Sequence, residues 1–362
     1  MFLDFYGLRE QPFGVTPDPR FLYLSPTHRE ALASMFYGID AERGFLALIA
    51  KPGMGKTNLL FHLLQQFRSK ARTAFVFQTQ CTSREFMRFL LLELGCEVSG
   101  EQDLVTMHEQ FNRCLLQEAH AGRRFIVVVD EAQNLEPSVL ETIRLLSDFE
   151  TPQAKLLQIV LSGQPELADK LARPTLRQLR QRISLLSTLT PLPPEEVARY
   201  MNHRLRAAGR QEGSPFTAGA VKLISELSEG IPRNVNNIGF NALSMGCALR
   251  QPTVDVDVIR QVAADFDLSN LRSEPGMTNL EPLARAASEA QALLARTNPA
   301  PGLAPSHIPN LAPNLTPDAA AKLAAHSAPL RARRGEPLNP EDALAYIQEF
   351  IRRLKKDPYF AN

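Results

Sequence analysis

The segment "FLALIAKPGMGKTNLLFHLLQQF", residues 45–67, constrains the fold more than any other part of the chain. Its first six residues are apolar without polar alternation, as in a strand buried on both faces of a parallel sheet. Gly53 and Gly55 follow, then Lys56 and Thr57, and a helical pattern opens at once with "NLLFHLLQQF". Strand, glycine turn and helix in that order gather backbone N–H groups and the positive end of a helix around one point, a cradle for phosphates. The lysine would reach the outer phosphates and the threonine hydroxyl would ligate Mg2+. Gly53, Met54, Gly55, Lys56, Thr57 and Asn58 are therefore the expected nucleotide contacts. Ala50 stands where this motif has its first glycine, which is tolerable if that residue ends the strand at negative φ.

A second segment, "FIVVVDEAQN", ends another apolar run in Asp130 and Glu131. Acidic side chains there sit at the carboxyl edge of the sheet, where ligands bind in open α/β folds. Asp130 would hold Mg2+ and Glu131 would act as general base on an attacking water. The run "LLQIVLSGQPEL" ends in Ser162 and Gln164, polar groups placed to hold that water or to sense the terminal phosphate; a capping role is the plainer reading of Ser162. No N-K-x-D signal for guanine occurs, so ATP with Mg2+ is the expected cofactor pair.

Further apolar runs at 73–77, 156–161 and 183–189 complete five strands separated by helical stretches, including one over 139–149 that aligns Leu140, Ile143, Leu146 and Ser147. Residues 40–190 read as an α/β nucleotide-binding core. A helix over 27–39, with Leu32, Met35, Phe36 and Ile39 on one face, precedes it, and residues 1–39 are expected to wrap the adenine and ribose edge. His28 reads as a nucleotide contact or as a capping or surface residue. After "LTPLPPEE" the patterns at 194–208, 216–228, 233–249 and 255–267 are helical, a small all-α domain over 191–268. Residues 269–335 turn rich in Ala and Pro and read as a flexible linker. The segment 336–362 reads as an amphipathic helix, capped by Asn339 and Pro340, with Leu344, Ile347, Ile351 and Leu354 in a stripe. That helix either docks a protein partner or folds back on its own domain.

Composition narrows the function. Lys plus Arg number 40 against 39 acids, a net charge of +1, which disfavours a protein defined by non-specific nucleic-acid binding. Cys81, Cys96, Cys114 and Cys247 show no metal-ligand or secreted spacing and are expected as reduced, buried thiols. "MFLDFYGLREQPF" lacks the apolar stretch of a signal peptide, and no run approaches the roughly 18 apolar residues of a membrane span. A cytoplasmic location is expected, peripheral to the inner membrane if a partner holds it there.

The stretch "LARPTLRQLRQRI" carries Arg173, Arg177, Arg180 and Arg182. If Pro174 starts a helix, Arg173, Arg177 and Arg180 share a face and Arg182 points elsewhere. Arg233, in "GIPRNVNNI", lies at a helix start, where a cation is unfavourable unless an anion is bound nearby.

Together "FYGLREQPFGVTPDPRFLYLSPTHREAL", "GMGKT", "VVVDEAQNL", "LSGQPELADKLARPTLRQLRQRI" and "GIPRNVNNI" resemble the AAA+ ATPases of the general secretion pathway protein A (ExeA-like) family over residues 1–268. The resemblance implies an AAA+ P-loop core with a parallel five-stranded sheet, an all-α lid and a flexible C-terminal tail. It implies a homo-oligomer, ring or open arc, in which Arg182, with Arg180 or Arg177 as a second contact, reaches the nucleotide of a neighbouring subunit. Arg233 would be sensor 2. The implied function is ATP hydrolysis that drives or switches assembly of a secretion or cell-surface machine. Family members continue into a membrane span and a periplasmic, peptidoglycan-binding part, neither of which is expected here. The alternative is a DNA-associated AAA+ regulator resembling transposition ATPases or helicase loaders, with Arg173–Arg182 and "RARR" (331–334) as phosphate contacts. A monomeric P-loop enzyme acting on a small molecule is the third reading.

Overall fold

The computed structural model describes residues 2–14, 18–77, 79–98, 102–146, 149 and 155–270. Ser147, most of the expected linker, the "RARR" stretch and the expected C-terminal helix lie outside the described residues.

Five strands form one parallel sheet: β1 (Phe45–Ala50), β2 (Ala71–Val76), β3 (Arg124–Val129), β4 (Leu157–Gly163) and β5 (Ile183–Leu189), in the order β2-β3-β4-β1-β5. The central strands β1 and β4 are buried along their whole length, which is why their sequences lack polar alternation. β5 lies at an edge and buries only alternate residues near its end, leaving Leu186 58% exposed. Helices α1 (Phe2–Phe5), α2 (Pro26–Asp40), α3 (Lys56–Phe67), α4 (Ser83–Glu93), α5 (Leu104–His120), α6 (Pro137–Leu146), α7 (Pro165–Ala172) and α8 (Arg177–Arg182) precede, connect or flank these strands. Their starts follow local chemistry. Ser25 caps α2 ahead of Pro26, Thr82 and Glu85 form a reciprocal capping box on α4, and Asp103 caps α5. Phe86, Leu90, Phe111, Leu140 and Leu167 join Val127, Val129, Ile159 and Leu161 in one continuous core.

A second cluster is built on α9 (Pro194–Ala207), α10 (Ala218–Leu227), α11 (Pro232–Ala248) and α12 (Val256–Asn270). Its core holds Val197, Tyr200, Leu205, Ile224, Val235 and Ile259, and it also holds Tyr6, Leu8, Phe13 and Phe21 from the N-terminal segment. The chain before α2 thus packs with the helical lid, whereas α2 packs on the sheet through residues such as Leu32, Met35 and Ile39. Buried Arg204 fixes this joint: its Nε donates to Pro12 O (2.5 Å), Nη2 to Gly14 O (3.1 Å) and Nη1 to Tyr200 Oη (3.0 Å), and its guanidinium lies 5.0 Å from the Phe21 ring centroid.

The cysteines differ from expectation. Cys96 and Cys114 are joined as a disulfide between the loop after α4 and α5, and Cys81 and Cys247 are free and only half-buried. Their spacing carries no motif; the packing of α4 against α5 brings the pair together.

Candidate nucleotide site

β1 ends at Ala50, which is not among the residues of positive φ, and the chain then turns through Gly53 (φ 79°) and Gly55 (φ 85°), both left-handed, into α3. Left-handed backbone costs an L-residue roughly 1–2 kcal/mol, so glycine is the residue that allows this turn. The turn aims at the N-terminus of α3, where the unpaired N–H groups and the helix dipole favour an anion.

Lys56 is 5% exposed. Its Nζ donates to Ala50 O at 3.2 Å and lies 4.0 Å from Glu131 Oε1. Among the described residues no other acceptor is within hydrogen-bond distance of this buried ammonium, which has three protons to place. A phosphate chain supplies the missing acceptors, so the cradle fits a nucleotide on this structure's own geometry.

The sheet register places the acids. Val129 pairs with Leu161, so the next residues along, Asp130 and Ser162, stand side by side beyond them. Ser162 Oγ donates to Asp130 Oδ1 at 2.8 Å, the Glu131 N–H donates to the same oxygen at 3.0 Å, and Thr57 Oγ1 donates to Oδ2 at 2.6 Å. Burial pushes the Asp130 carboxyl up from its ordinary value, against the hydrogen bonds from Thr57 and Ser162 and the nearby Lys56, which pull it down. A hydroxyl and a carboxylate oxygen side by side are the hard donors that Mg2+ takes, usually with several waters retained. Among the described residues there is no cluster of three or more His, Cys, Asp or Glu of the kind that holds a metal by protein ligands alone.

Met54 has only its backbone to offer a phosphate. Its side chain is fully buried, and its carbonyl accepts from His28 Nε2 at 2.9 Å. A carbonyl only accepts, so Nε2 carries the proton, and Nδ1, 2.6 Å from Ser25 Oγ, accepts from that hydroxyl in the neutral ring. His28 thus ties the phosphate loop to the start of α2, and burial lowers its pKa. Asn58, in the first turn of α3, is half-buried.

The lid reaches the loop as well. The Arg233 N–H donates to Gly53 O at 3.2 Å, and the Arg233 side chain is exposed beside the loop. Of the other arginines, Arg173 precedes a short 3-10 turn (Pro174–Leu176) that leads into α8, so no single helix starts at Pro174. Arg173, Arg177 and Arg180 are exposed, and their side chains make no hydrogen bond or ion pair among the described residues; Arg182 is half-buried where α8 meets β5.

The family model for the AAA domain matches residues 39–171. Over 243 residues the chain is 40% identical to general secretion pathway protein A of Aeromonas hydrophila. The chain is an AAA-domain protein related to that secretion protein. The match covers 67% of this chain and 44% of the relative, so the chain spans less than half the relative's length. The AAA fold also appears in two solved structures at low identity. One is the ORC2 protein of Aeropyrum pernix (TM-score 0.55, 14% identity, 94% of this chain and 89% of that one). The other is Cdc6p of Pyrobaculum aerophilum (TM-score 0.52, 16% identity, 67% of each chain). Among the described residues no helix is long and apolar enough to cross a membrane.

Three side chains of this AAA domain escaped sequence reasoning in whole or part. Gln133 Nε2 donates to Glu131 Oε2 at 2.6 Å, and Gln164 Nε2 donates to the same oxygen at 3.0 Å. Lys170, on α7, donates to Gln133 O at 2.9 Å and to Leu135 O. Gln133 carried no signal beyond its place after the acidic pair, because Gln164 and Lys170, which hold it beside Glu131, come from beyond another strand.

Proposed function

We propose that this AAA-domain protein hydrolyses ATP with Mg2+ at sites completed by a second copy of the chain, and that the nucleotide cycle drives or switches assembly of a secretion or cell-surface machine. The observation that carries the chemistry is the convergence of Lys56, Thr57, Asp130 and Glu131 at the carboxyl edge of the sheet. Backbone N–H groups of Gly53 to Thr57 cradle the phosphates, with Asn58 flanking them, and Lys56 neutralises the outer ones. Thr57 and Asp130 would hold the metal, and bound Mg2+ would supply charge neutralisation on the phosphates. Ser162 keeps Asp130 aimed at Thr57. Glu131, on the Lys56 side of the cluster, takes the proton from the attacking water.

Arg233 reaches the outer phosphates from the lid, a reading supported by the bond of its backbone N–H to Gly53 O. Arg182, with Arg180 as the second contact, meets the nucleotide of a neighbouring copy; an arginine supplied in this way is worth about 10³–10⁵ in rate. What supports that reading is the position of these side chains at an edge strand, apart from their own chain's Lys56 and Asp130. The secretion role rests on the relationship to general secretion pathway protein A.

A mixing experiment tests the shared site. Glu131→Gln and Arg182→Ala are each expected to bind nucleotide and to turn over poorly. Mixed together they regain activity, because some interfaces then combine an intact glutamate with an intact arginine. Turnover of Glu131→Gln at the wild-type rate contradicts the base assignment, and absence of regain in the mixture contradicts the shared site.

A further inference from the structure

We infer that Gln133 and Gln164 are positioning residues that together grip one oxygen of Glu131 and thereby aim the other at the phosphate site. This rests on the assignment of Glu131 as the base.

Glu131 stands on left-handed backbone (φ 52°), a conformation that a non-glycine residue holds only when its surroundings fix it. Both amide donors converge on Oε2, from Gln133 at 2.6 Å and Gln164 at 3.0 Å. Oε1 is left as the oxygen nearer Lys56, 4.0 Å from Nζ. A carboxylate whose two oxygens are so differently engaged has one orientation, and its unshared oxygen faces the lysine that would hold the terminal phosphate. A base must lie within hydrogen-bond reach of the proton it takes, and loss of that geometry costs rate without costing affinity.

The grip is itself built. The Gln164 backbone N–H donates to Gln133 Oε1 at 3.1 Å, so the side-chain amide of Gln133 is held by the end of β4 as well as bonded to Glu131. Gly163 makes room for this contact: a Cβ there would come within 2.8 Å of Gln133 Oε1 and 2.7 Å of Leu167 Cδ2. Lys170 holds the backbone of the same turn from one side through the carbonyls of Gln133 and Leu135, so the side chain of Gln133 starts from a fixed point. Two strand ends, one helix and one glycine thus converge on a single carboxylate oxygen. Ser162, on the same strand end, bonds Asp130 and does not reach Glu131 through any described hydrogen bond.

The test is steady-state hydrolysis and binding of a non-hydrolysable ATP analogue with the full chain, comparing wild type, Gln133→Met with Gln164→Met, Gly163→Ala and Glu131→Gln. Methionine keeps the length of glutamine and lacks the N–H donors, which separates loss of the grip from loss of packing. The double methionine variant is expected to lose roughly ten- to a hundredfold in kcat with KM and analogue affinity within about twofold of wild type. Gly163→Ala is expected to show the same split by displacing Gln133. An unchanged kcat in the double variant, with Glu131→Gln stalled, overturns the grip and leaves the base in place. A kcat loss matched by an equal loss of analogue affinity also overturns it, since that marks a disturbed cradle. Normal turnover by Glu131→Gln overturns the assignment beneath both.

Discussion

The backbone N–H of Arg233 donates to the carbonyl of Gly53 at 3.2 Å, so the first turn of the lid helix α11 rests on the phosphate loop itself. A Cβ on Gly53 would approach Arg233 Cβ to 2.8 Å and Ile231 Cγ2 to 3.1 Å, on backbone whose φ of 79° already disfavours a side chain. Gly53→Ala therefore strains the turn and pushes the lid away. The variant is expected to fold and to lose at least about tenfold in analogue affinity, from a left-handed penalty of roughly 1–2 kcal/mol added to the contact. Calorimetric titration against wild type checks it.

The pH dependence of stability follows from His28. Burial lowers its pKa below the ordinary 6.5, so the unfolded chain binds the proton more readily than the folded one. Stability is then fully present above about pH 6.5 and is lost as pH falls from there towards the lowered folded value. His108 and His203, lowered by the same cause, add to the slope. His28→Gln, which keeps a donor for the Met54 carbonyl, is expected to flatten the fall in melting temperature between neutral and mildly acidic pH. An unchanged slope shows that the other two histidines and the acids carry it.

Arg204 joins the N-terminal segment to the lid through two carbonyls and the Tyr200 hydroxyl. Replacement by methionine keeps the stem and removes five donors, leaving Pro12 O, Gly14 O and Tyr200 Oη short of partners. The cost is expected at about 3 kcal/mol. It shows as a lower urea midpoint, with faster proteolysis around residues 12–24 than elsewhere.

What the sequence disclosed and what it hid divide by range. β1, β3 and β4 were legible because strands buried on both faces leave unbroken apolar runs, β5 was legible from its apolar run although it lies at an edge, and β2 only began two residues earlier than its run suggested. Lys56, Thr57 and Asp130 were legible because a phosphate cradle is a local arrangement of a few consecutive residues on two strand ends. The N-terminal segment carried no local sign of its packing partners: Phe13 and Phe21 pack with Tyr200 and Val197 across most of the described chain, a pairing no local pattern encodes. Met54 occupies a motif position whose side chain turns inward, so spacing alone could not separate its backbone from its side chain. Gln133 was silent because its meaning depends on β3 and β4 being neighbours.

Binding of the Mg2+ complex of a non-hydrolysable ATP analogue, measured by calorimetry on wild type and on Lys56→Ala, tests the central claim most directly. The account expects saturable binding by the wild type at one site per chain and a loss of about a hundredfold or more on removing the buried ammonium. Equal binding by both proteins, or none by the wild type, contradicts it.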